Sequence, residues 1–335
     1  MIERDVPSGL AARIPTPSPG DVRLERLALN QRTIPRWSVE ETVAGCLKAG
    51  IPAIGLWREQ VAELGLPRAS RLVASSGLRV SSLCRGGFLT GLDDDHTRAI
   101  DDNRRAIDEA AALGARCLVM VVGGLPAGSR DLPGARRRVE ERMAQLAEYA
   151  GECGVRLAVE PMHPLFCADR GVISTIAQAL ELAKRFPVEQ VGIVVDTFHV
   201  WWDPDLADLV RRAASRIALY QVCDWITPFP ADALLSRGMM GDGHIDFRSI
   251  TLLVQREAAY DGDIEVEIFN ADVWAADPGA TIATLMRRYV EHVVHDGFAD
   301  PKPSSVRPRS RSESAYTPKV QSAQPERQEE ASNGA

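Results

Sequence analysis

The chain has 335 residues, which exceeds one typical domain but suits a single α/β barrel of about 250 residues with two tails. A hydrophobic fraction of 45% with 25% charged residues is typical of a globular protein that buries a large core. A formal net charge of -7 excludes the overall basic field that binds extended nucleic acid, so nucleic acid is not an expected partner.

The two ends of the chain differ in composition from its middle. Residues 1–20 and 301–335 are rich in Pro, Ser and charged groups and poor in large apolar side chains, so both are expected to be disordered. The predicted organisation is an N-terminal segment over 1–20, one barrel over 21–300 and a C-terminal tail over 301–335. No secretory signal and no stretch of membrane-spanning length is present, so we expect a cytoplasmic protein without a membrane partner.

Between these ends the hydrophobic period alternates between about two and about 3.6, which is typical of alternating strands and helices. Ser38 with Glu41 predicts a capped helix start, and Gly50 predicts the end of that helix. The predicted strands are 24–29, 53–57, 78–84, 117–122, one ending at Glu160, one ending at Asp196, 217–223 and 263–268. The predicted helices are 38–50, 67–76, 97–113, 135–153, 175–186, one after Pro204, one from about Phe247, and 281–295. Eight strands with eight helices favour a closed (β/α)8 TIM barrel.

Four predicted strands end in side chains that can bind a divalent metal. They are Glu160, Asp196, Gln221 and the pair Glu265 and Glu267. Strand ends converge at the carboxyl face of a barrel, so we expect these groups to meet there. Three carboxylates and one amide oxygen form a hard set that suits Mn²⁺ or Mg²⁺ better than zinc. Glu265 and Glu267 lie on the same face of their strand, and the alternation does not choose between them.

Loops and aromatic residues after the strands indicate a substrate pocket. The segments 163–172 and 225–245 are long connections that are expected to wall the pocket, the second as a lid. Trp57 and Trp202 are candidates for stacking on a sugar, although packing between loops explains a rim tryptophan equally well. Arg85 is a candidate for binding a substrate hydroxyl or carboxylate, with a barrel ion pair as the alternative.

Four motifs together resemble the signatures of the xylose isomerase-like sugar isomerase and epimerase superfamily. They are Glu160-Pro161, Asp196-Thr197-Phe198-His199, and the segments 241–247 and 265–269. The resemblance implies Glu160, Asp196 and Glu267 as metal ligands, the last because the family acid precedes an apolar pair. It also implies that Asp224 supports the ligands from behind. The superfamily commonly has a histidine where this chain has Gln221. The amide of Gln221 supplies a neutral oxygen, so all the expected ligand atoms are hard oxygens.

A second departure concerns the pocket arginine that sugar epimerases carry shortly after this ligand, because residues 225–228 contain no counterpart. More narrowly, residues 160–163, residues 199–202 and the long loop after Asp224 resemble the alpha subunits of bacterial C-glycoside deglycosidases. This resemblance implies a glycoside or keto-sugar substrate, namely a 3-oxo-glycoside, with a small beta subunit and oligomerisation. The expected cofactor is Mn²⁺, with Mg²⁺ or Co²⁺ as alternatives.

The implied reaction is metal-dependent β-elimination, since a ketone at C3 acidifies the C2 proton and the aglycone then leaves C1. An aryl C–C glycosidic bond has no leaving oxygen for the usual glycosidase acid. His163 is the candidate base or acid, and His199 is its partner or a hydrogen-bond donor. Two alternatives stay open: a keto-sugar epimerase or isomerase in which Glu160 and Glu267 pass a proton across an enediolate, and a non-catalytic scaffold subunit.

Overall fold

The computed structural model describes residues 14–92 and 95–295, and within them eight parallel strands close into one barrel. Each strand pairs with the next in the chain and the last pairs with the first. The predicted TIM barrel is therefore confirmed. The strands are β1 (Leu27–Asn30), β2 (Ala53–Trp57), β3 (Arg79–Gly87), β4 (Cys117–Val121), β5 (Arg156–Val159), β6 (Val191–Asp196), β7 (Ile217–Val222) and β8 (Ile264–Val266).

The α-helices of the described part surround this barrel and include three that the sequence pattern did not predict. They are α1 (Val39–Ala49), α2 (Arg58–Leu64), α3 (Leu66–Ser76), α4 (His96–Leu113), α5 (Leu132–Glu152), α6 (Ile176–Ala183), α7 (Thr197–Val200), α8 (Leu206–Ala213), α9 (Phe247–Leu252), α10 (Ala271–Ala275) and α11 (Pro278–His292). The unpredicted ones are α2, α7 and α10, which are too short to show a clear 3.6-residue period. Helix α2 also begins without a side-chain cap.

The first helix begins and ends as its sequence predicts. The Ser38 side chain accepts from the backbone N–H of Glu41, and the Glu41 carboxylate accepts from the backbone N–H of Ser38 at 2.8 Å. Gly50 ends the helix with a φ of 74°, a left-handed conformation that glycine adopts without strain. Local signals therefore determine where α1 lies between β1 and β2.

The register of the barrel brings the strand-end polar residues together. Asp196 on β6 lies beside Gln221 on β7, and Gln221 lies beside Glu265 on β8. Glu267 follows two residues later on the same face, because side chains alternate along a strand. The row of polar groups therefore lies inside the carboxyl half of the barrel.

Residues 1–13 and 301–335 of the predicted disordered ends lie outside the described residues, so those domain boundaries stay predictions. Residues 14–20 are described, and within them Pro17 is buried and Ile14 packs against the core. All six cysteines are free thiols. No helix in the described ranges is long and apolar enough to cross a membrane.

Candidate metal and substrate site

Three of the predicted residues form a buried cluster at the mouth of the barrel. Glu160 follows β5, Asp196 ends β6, and His199 lies one helical turn later in α7. The Nε2 atom of His199 is 3.7 Å from Glu160 Oε1 and 3.7 Å from Asp196 Oδ2. Each residue offers one atom within 4.8 Å of the others, an arrangement that can hold a metal ion.

Arg237 lies at the centre of this cluster, and no sequence pattern predicted it there. The strand pair formed by Asp224–Trp225 and Arg237–Gly238 folds the long loop back over the barrel mouth. Arg237 Nη1 donates to Asp196 Oδ2 at 3.0 Å and to Glu267 Oε2 at 2.9 Å. Residues 225–228 contain no arginine, as the sequence shows, but the loop brings Arg237 to the cluster from well beyond them. The sequence feature that could have pointed to Arg237 is its place just before the glycine turn at 241–243.

Glu265 and Glu267 both face the barrel interior but lie at different depths. Glu265 is fully buried below the mouth and accepts from Asn30 Nδ2 at 2.7 Å and from Gln221 Nε2 at 2.9 Å. The hydroxyls of Ser81 and Ser82 also donate to it, at 2.5 and 2.8 Å. Glu267 lies nearer the mouth, where its Oε1 accepts from Asn30 at 3.1 Å. The structure thus groups Glu267, rather than Glu265, with Asp196 around Arg237.

The close packing around Glu265 also constrains β2. A Cβ atom added at Gly55 would lie 2.5 Å from Glu265 Oε2, well inside contact distance. Glycine at this position therefore allows the buried carboxylate to fit between the strands.

Gln221 has one satisfied and one unsatisfied end. Its Nε2 donates to Glu265 at 2.9 Å, and the other polar atom of the amide is Oε1. This oxygen is buried and has no hydrogen-bond partner among the described residues. A buried carbonyl oxygen without a partner costs free energy, which a bound cation would recover. Gln221 Oε1 and the carboxylates of Glu160, Asp196 and Glu267 therefore fit a hard divalent cation.

The charges of the site are incompletely balanced by the protein. Burial raises the pKa of Glu160 to about 8, and the nearby Asp196 carboxylate adds to that increase. Burial also raises the pKa of Asp196 and of Glu267. Burial opposes the charged form of Arg237, but the surrounding groups, Asp196 first, raise its pKa overall. Three carboxylates share one guanidinium, and a divalent ion would neutralise the remaining charge.

His199 is a hydrogen-bond donor at Nε2. Its Nδ1 accepts the backbone N–H of His163 at 3.0 Å, so the single hydrogen of a neutral ring is on Nε2. Burial lowers the pKa of His199 well below its usual value, and the charge of Arg237 lowers it further. Arg237 Nη2 lies 3.1 Å from His199 Nε2. With hydrogens on both nitrogens, this contact is not a hydrogen bond and does not stabilise the ring position.

His163 lies above this cluster among aromatic rings. Its ring centroid is 4.7 Å from Trp225 and 5.4 Å from Trp202, whose indole N–H donates to the backbone of His199. The backbone N–H of Leu165 donates to His163 Nδ1 at 3.1 Å, so Nε2 carries the ring hydrogen. Burial lowers the pKa of His163 to about 4, which keeps the ring neutral near pH 7. The sequence left its role as base or acid open, and the geometry favours a donor.

Two further predicted residues, Arg85 and Trp57, lie outside the cluster of Glu160, Asp196 and His199. Arg85 packs its guanidinium over the ring of Phe88, with the Cζ atom 4.3 Å from the centroid. Trp57 donates its indole N–H to Asn30 Oδ1 at 2.9 Å, which places it beside Glu267.

Asp224 holds the β7 loop in place. It accepts the backbone N–H groups of Trp225, Gly241, Gly243 and Ile245. Among the described residues its carboxylate makes these loop contacts, and its support of the metal ligands stays a prediction. The base of the predicted lid is therefore fixed, and the loop forms a wall of the pocket.

Comparison with known proteins identifies the chain's relatives. A family model described as xylose isomerase-like TIM barrel matches residues 43–291. The inosose isomerase of Halalkalibacterium halodurans is 26% identical over 154 residues, which is 45% of this chain and 52% of that protein. The 3-dehydroshikimate dehydratase of Pseudomonas aeruginosa is 26% identical over 234 residues, which is 62% of this chain and 34% of that protein. The chain thus spans about half and about a third of these two relatives.

A solved structure gives a closer match. A protein of Sinorhizobium meliloti 1021 is 46% identical, with a TM-score of 0.78, and the match covers 80% of this chain and 98% of that one. The named relatives are enzymes, an isomerase and a dehydratase.

Proposed function

Because the chain belongs to the xylose isomerase-like TIM barrel family, we propose that it is a metal-dependent lyase acting on a small cyclic ketone. The enzyme would remove the proton next to the ketone and expel the substituent on the following carbon. When this substituent is a hydroxyl, a C–H bond and a C–O bond break, and a C=C bond and water form.

The cation of this proposal would be held by Glu160, Asp196, Gln221 and Glu267. The unpartnered oxygen of Gln221 and the unbalanced carboxylates support this choice. A hard ion such as Mn²⁺, Mg²⁺ or Co²⁺ would act as a Lewis acid that polarises the ketone.

The two carboxylates that could act as a base, Glu160 and Glu267, differ in the hydrogen bonds they accept, and this difference is the main support for elimination. Glu267 accepts from Asn30 on one oxygen and from Arg237 on the other. Glu160 accepts no side-chain hydrogen bond within the described residues, and the nearest ring nitrogen, His199 Nε2, lies 3.7 Å from its Oε1. Proton transfer between two positions in the isomerase alternative would use both carboxylates, whereas elimination needs one. The asymmetry therefore favours elimination.

The protein groups then have separate tasks. Glu160 takes the proton through one carboxylate oxygen and returns it to the leaving hydroxyl, so one group serves as base and then as acid. The Nε2–H groups of His199 and His163 donate to substrate oxygens. Arg237 balances charge and contacts the substrate. Trp57, Trp202 and Arg85 border the substrate space, and Asp224 keeps the loop wall in place.

Two leaving groups are compatible with this elimination, namely water and an aryl aglycone. The dehydratase relative supports loss of water. Loss of an aryl aglycone, as in a C-glycoside deglycosidase with a small beta subunit, has the support of an aromatic surface near the mouth. Phe229 is 41% exposed there and packs on Trp225 at 5.0 Å. We place water loss first, because the aglycone form otherwise depends on the sequence resemblance alone.

A product assay tests the function. Mn²⁺-reconstituted protein is incubated in D₂O with 3-dehydroshikimate, inosose and a 3-oxo-glucoside, and products are identified by mass. Elimination gives a product that has lost water or aglycone, whereas isomerisation gives an isomer that has gained deuterium. Glu160→Gln should abolish elimination, and the exposed-residue control Glu181→Gln should retain it. Isomerised products without elimination, or full activity of Glu160→Gln, would contradict the proposal.

A further inference from the structure

Arg32 is a second cationic side chain at the barrel mouth. It lies just after β1, in a short 3-10 helix over Gln31–Thr33, and its backbone N–H donates to Asn30 Oδ1 at 2.9 Å. The Asn30 side-chain amide in turn contacts Glu267. Arg32 is therefore connected to the cluster through one residue, on the side of the pocket bordered by β1, β2 and β8.

Three aromatic rings surround the guanidinium of Arg32. Its Cζ atom lies 5.2 Å from the ring centroid of Trp57, 5.8 Å from that of Phe269 and 5.6 Å from that of Trp274. Aromatic faces stabilise a cation, but they offer no acceptor for its N–H groups. The rings thus hold the guanidinium in place and leave its hydrogen bonds unmade.

Neighbouring side chains do not supply acceptors for the guanidinium N–H groups of Arg32 in the described part of the chain. In the described ranges no carboxylate lies within 4.0 Å of it, and its Nε is buried without an acceptor. Arg237 also has a buried Nε without an acceptor, but its Nη1 pairs with two carboxylates of the cluster. Buried guanidinium donors are normally paired, so the missing acceptor at Arg32 indicates a ligand group. The side chain as a whole is partly exposed, which allows a ligand to reach it.

We propose that Arg32 binds a carboxylate on the substrate, an inference that rests on the elimination proposed above and specifies the substrate as a cyclic keto acid. Phe269 connects the two arginines, since its ring centroid is 5.0 Å from Arg237 Cζ and 5.8 Å from Arg32 Cζ. A six-membered ring with its ketone at the cluster can direct an acidic substituent towards Arg32. The planar guanidinium matches the geometry of a carboxylate.

A binding experiment isolates this contact from catalysis. The probes are 4-hydroxycyclohexane-1-carboxylate and its methyl ester, titrated into the Mn²⁺-reconstituted protein by calorimetry. Neither probe has a ketone, so neither can undergo the reaction. We expect the wild type to prefer the acid, and Arg32→Gln to weaken acid binding by about 10- to 100-fold while ester binding changes less than twofold.

Arg104→Gln is the matched control, because Arg104 is also stacked on an aromatic ring, that of Tyr149, but lies on the outer helix α4. It should keep the preference for the acid, and Arg32→Lys should recover part of it. Circular dichroism and Mn²⁺ titration of each variant verify that the fold and metal site are intact. The inference is overturned if the wild type shows no preference for the acid or binds neither probe. It is also overturned if Arg32→Gln keeps the preference, or if Arg104→Gln loses it as well.

Failure of the inference and failure of the proposed function give different results. An acid preference that depends on Arg32, in a protein that eliminates nothing from any ketone, would refute the lyase and leave the carboxylate site intact. Elimination from neutral ketones, with no preference for the acid, would refute the site and leave the lyase intact.

Discussion

The backbone N–H of His163 donates to Nδ1 of His199 at 3.0 Å, and this bond decides which nitrogen of His199 faces the pocket with a hydrogen. The donor is a main-chain group, so it is present whatever the pH. His199 is therefore fixed as a donor at Nε2.

The first prediction concerns this donor. His199→Ala should lower the turnover number by about 100-fold, because a fixed hydrogen bond to the developing oxyanion is lost. The content of Mn²⁺, measured by elemental analysis, should stay within a factor of two. Loss of the metal together with activity would instead show that His199 is a ligand.

The second prediction uses the raised pKa of Glu160, which is about 8 in the metal-free protein. At pH 7 the coupled carboxylates hold a proton that a cation must displace. Binding of Mn²⁺ should therefore release about one proton at pH 7, and affinity should increase with pH until about 8. Calorimetry in buffers of different ionisation enthalpy measures the release. A proton count of zero at pH 7 would refute the charge assignment.

The third prediction concerns Glu265, which orients Gln221 through its Nε2. Glu265→Gln replaces a pure acceptor by an amide that can also donate, so the orientation of the Gln221 amide is no longer fixed. The affinity for Mn²⁺ should fall by about 10- to 100-fold, as for other groups behind metal ligands. Glu63→Gln, a change on the outer helix α2, is the control. An unchanged affinity for Mn²⁺ in Glu265→Gln would show that Glu265 does not position Gln221.

The fourth prediction concerns Arg237 as the cation of the cluster. Arg237→Met leaves three buried carboxylates without a counter-charge, which should lower the free energy of unfolding of the metal-free protein by about 3–5 kcal/mol. Saturating Mn²⁺ should recover most of this loss, because a second cation then occupies the cluster.

Thermal or urea unfolding with and without Mn²⁺ measures the effect. Breaking the exposed pair of Arg185 with Glu140 by Arg185→Ala should cost less than about 1 kcal/mol and respond equally in both conditions. Equal destabilisation of Arg237→Met with and without the ion would show that the two cations do not substitute for each other.

The sequence by itself determined the barrel and the strand-end acids, because alternating periods, the Ser38 cap and the Gly50 terminus are local signals that act within a few residues. It placed Glu160, Asp196 and Gln221 at strand ends, and closure of the sheet then brings such ends together.

Only the tertiary structure decided the depth of Glu265 against Glu267, the ring hydrogens of His163 and His199, and the entry of Arg237 and Arg32 into the mouth. Each of these depends on contacts between residues far apart in the chain: the folded-back β7 loop, the Asn30 amide shared by two acids, and the rings around Arg32. A local pattern does not encode such contacts, since they arise only when the barrel closes.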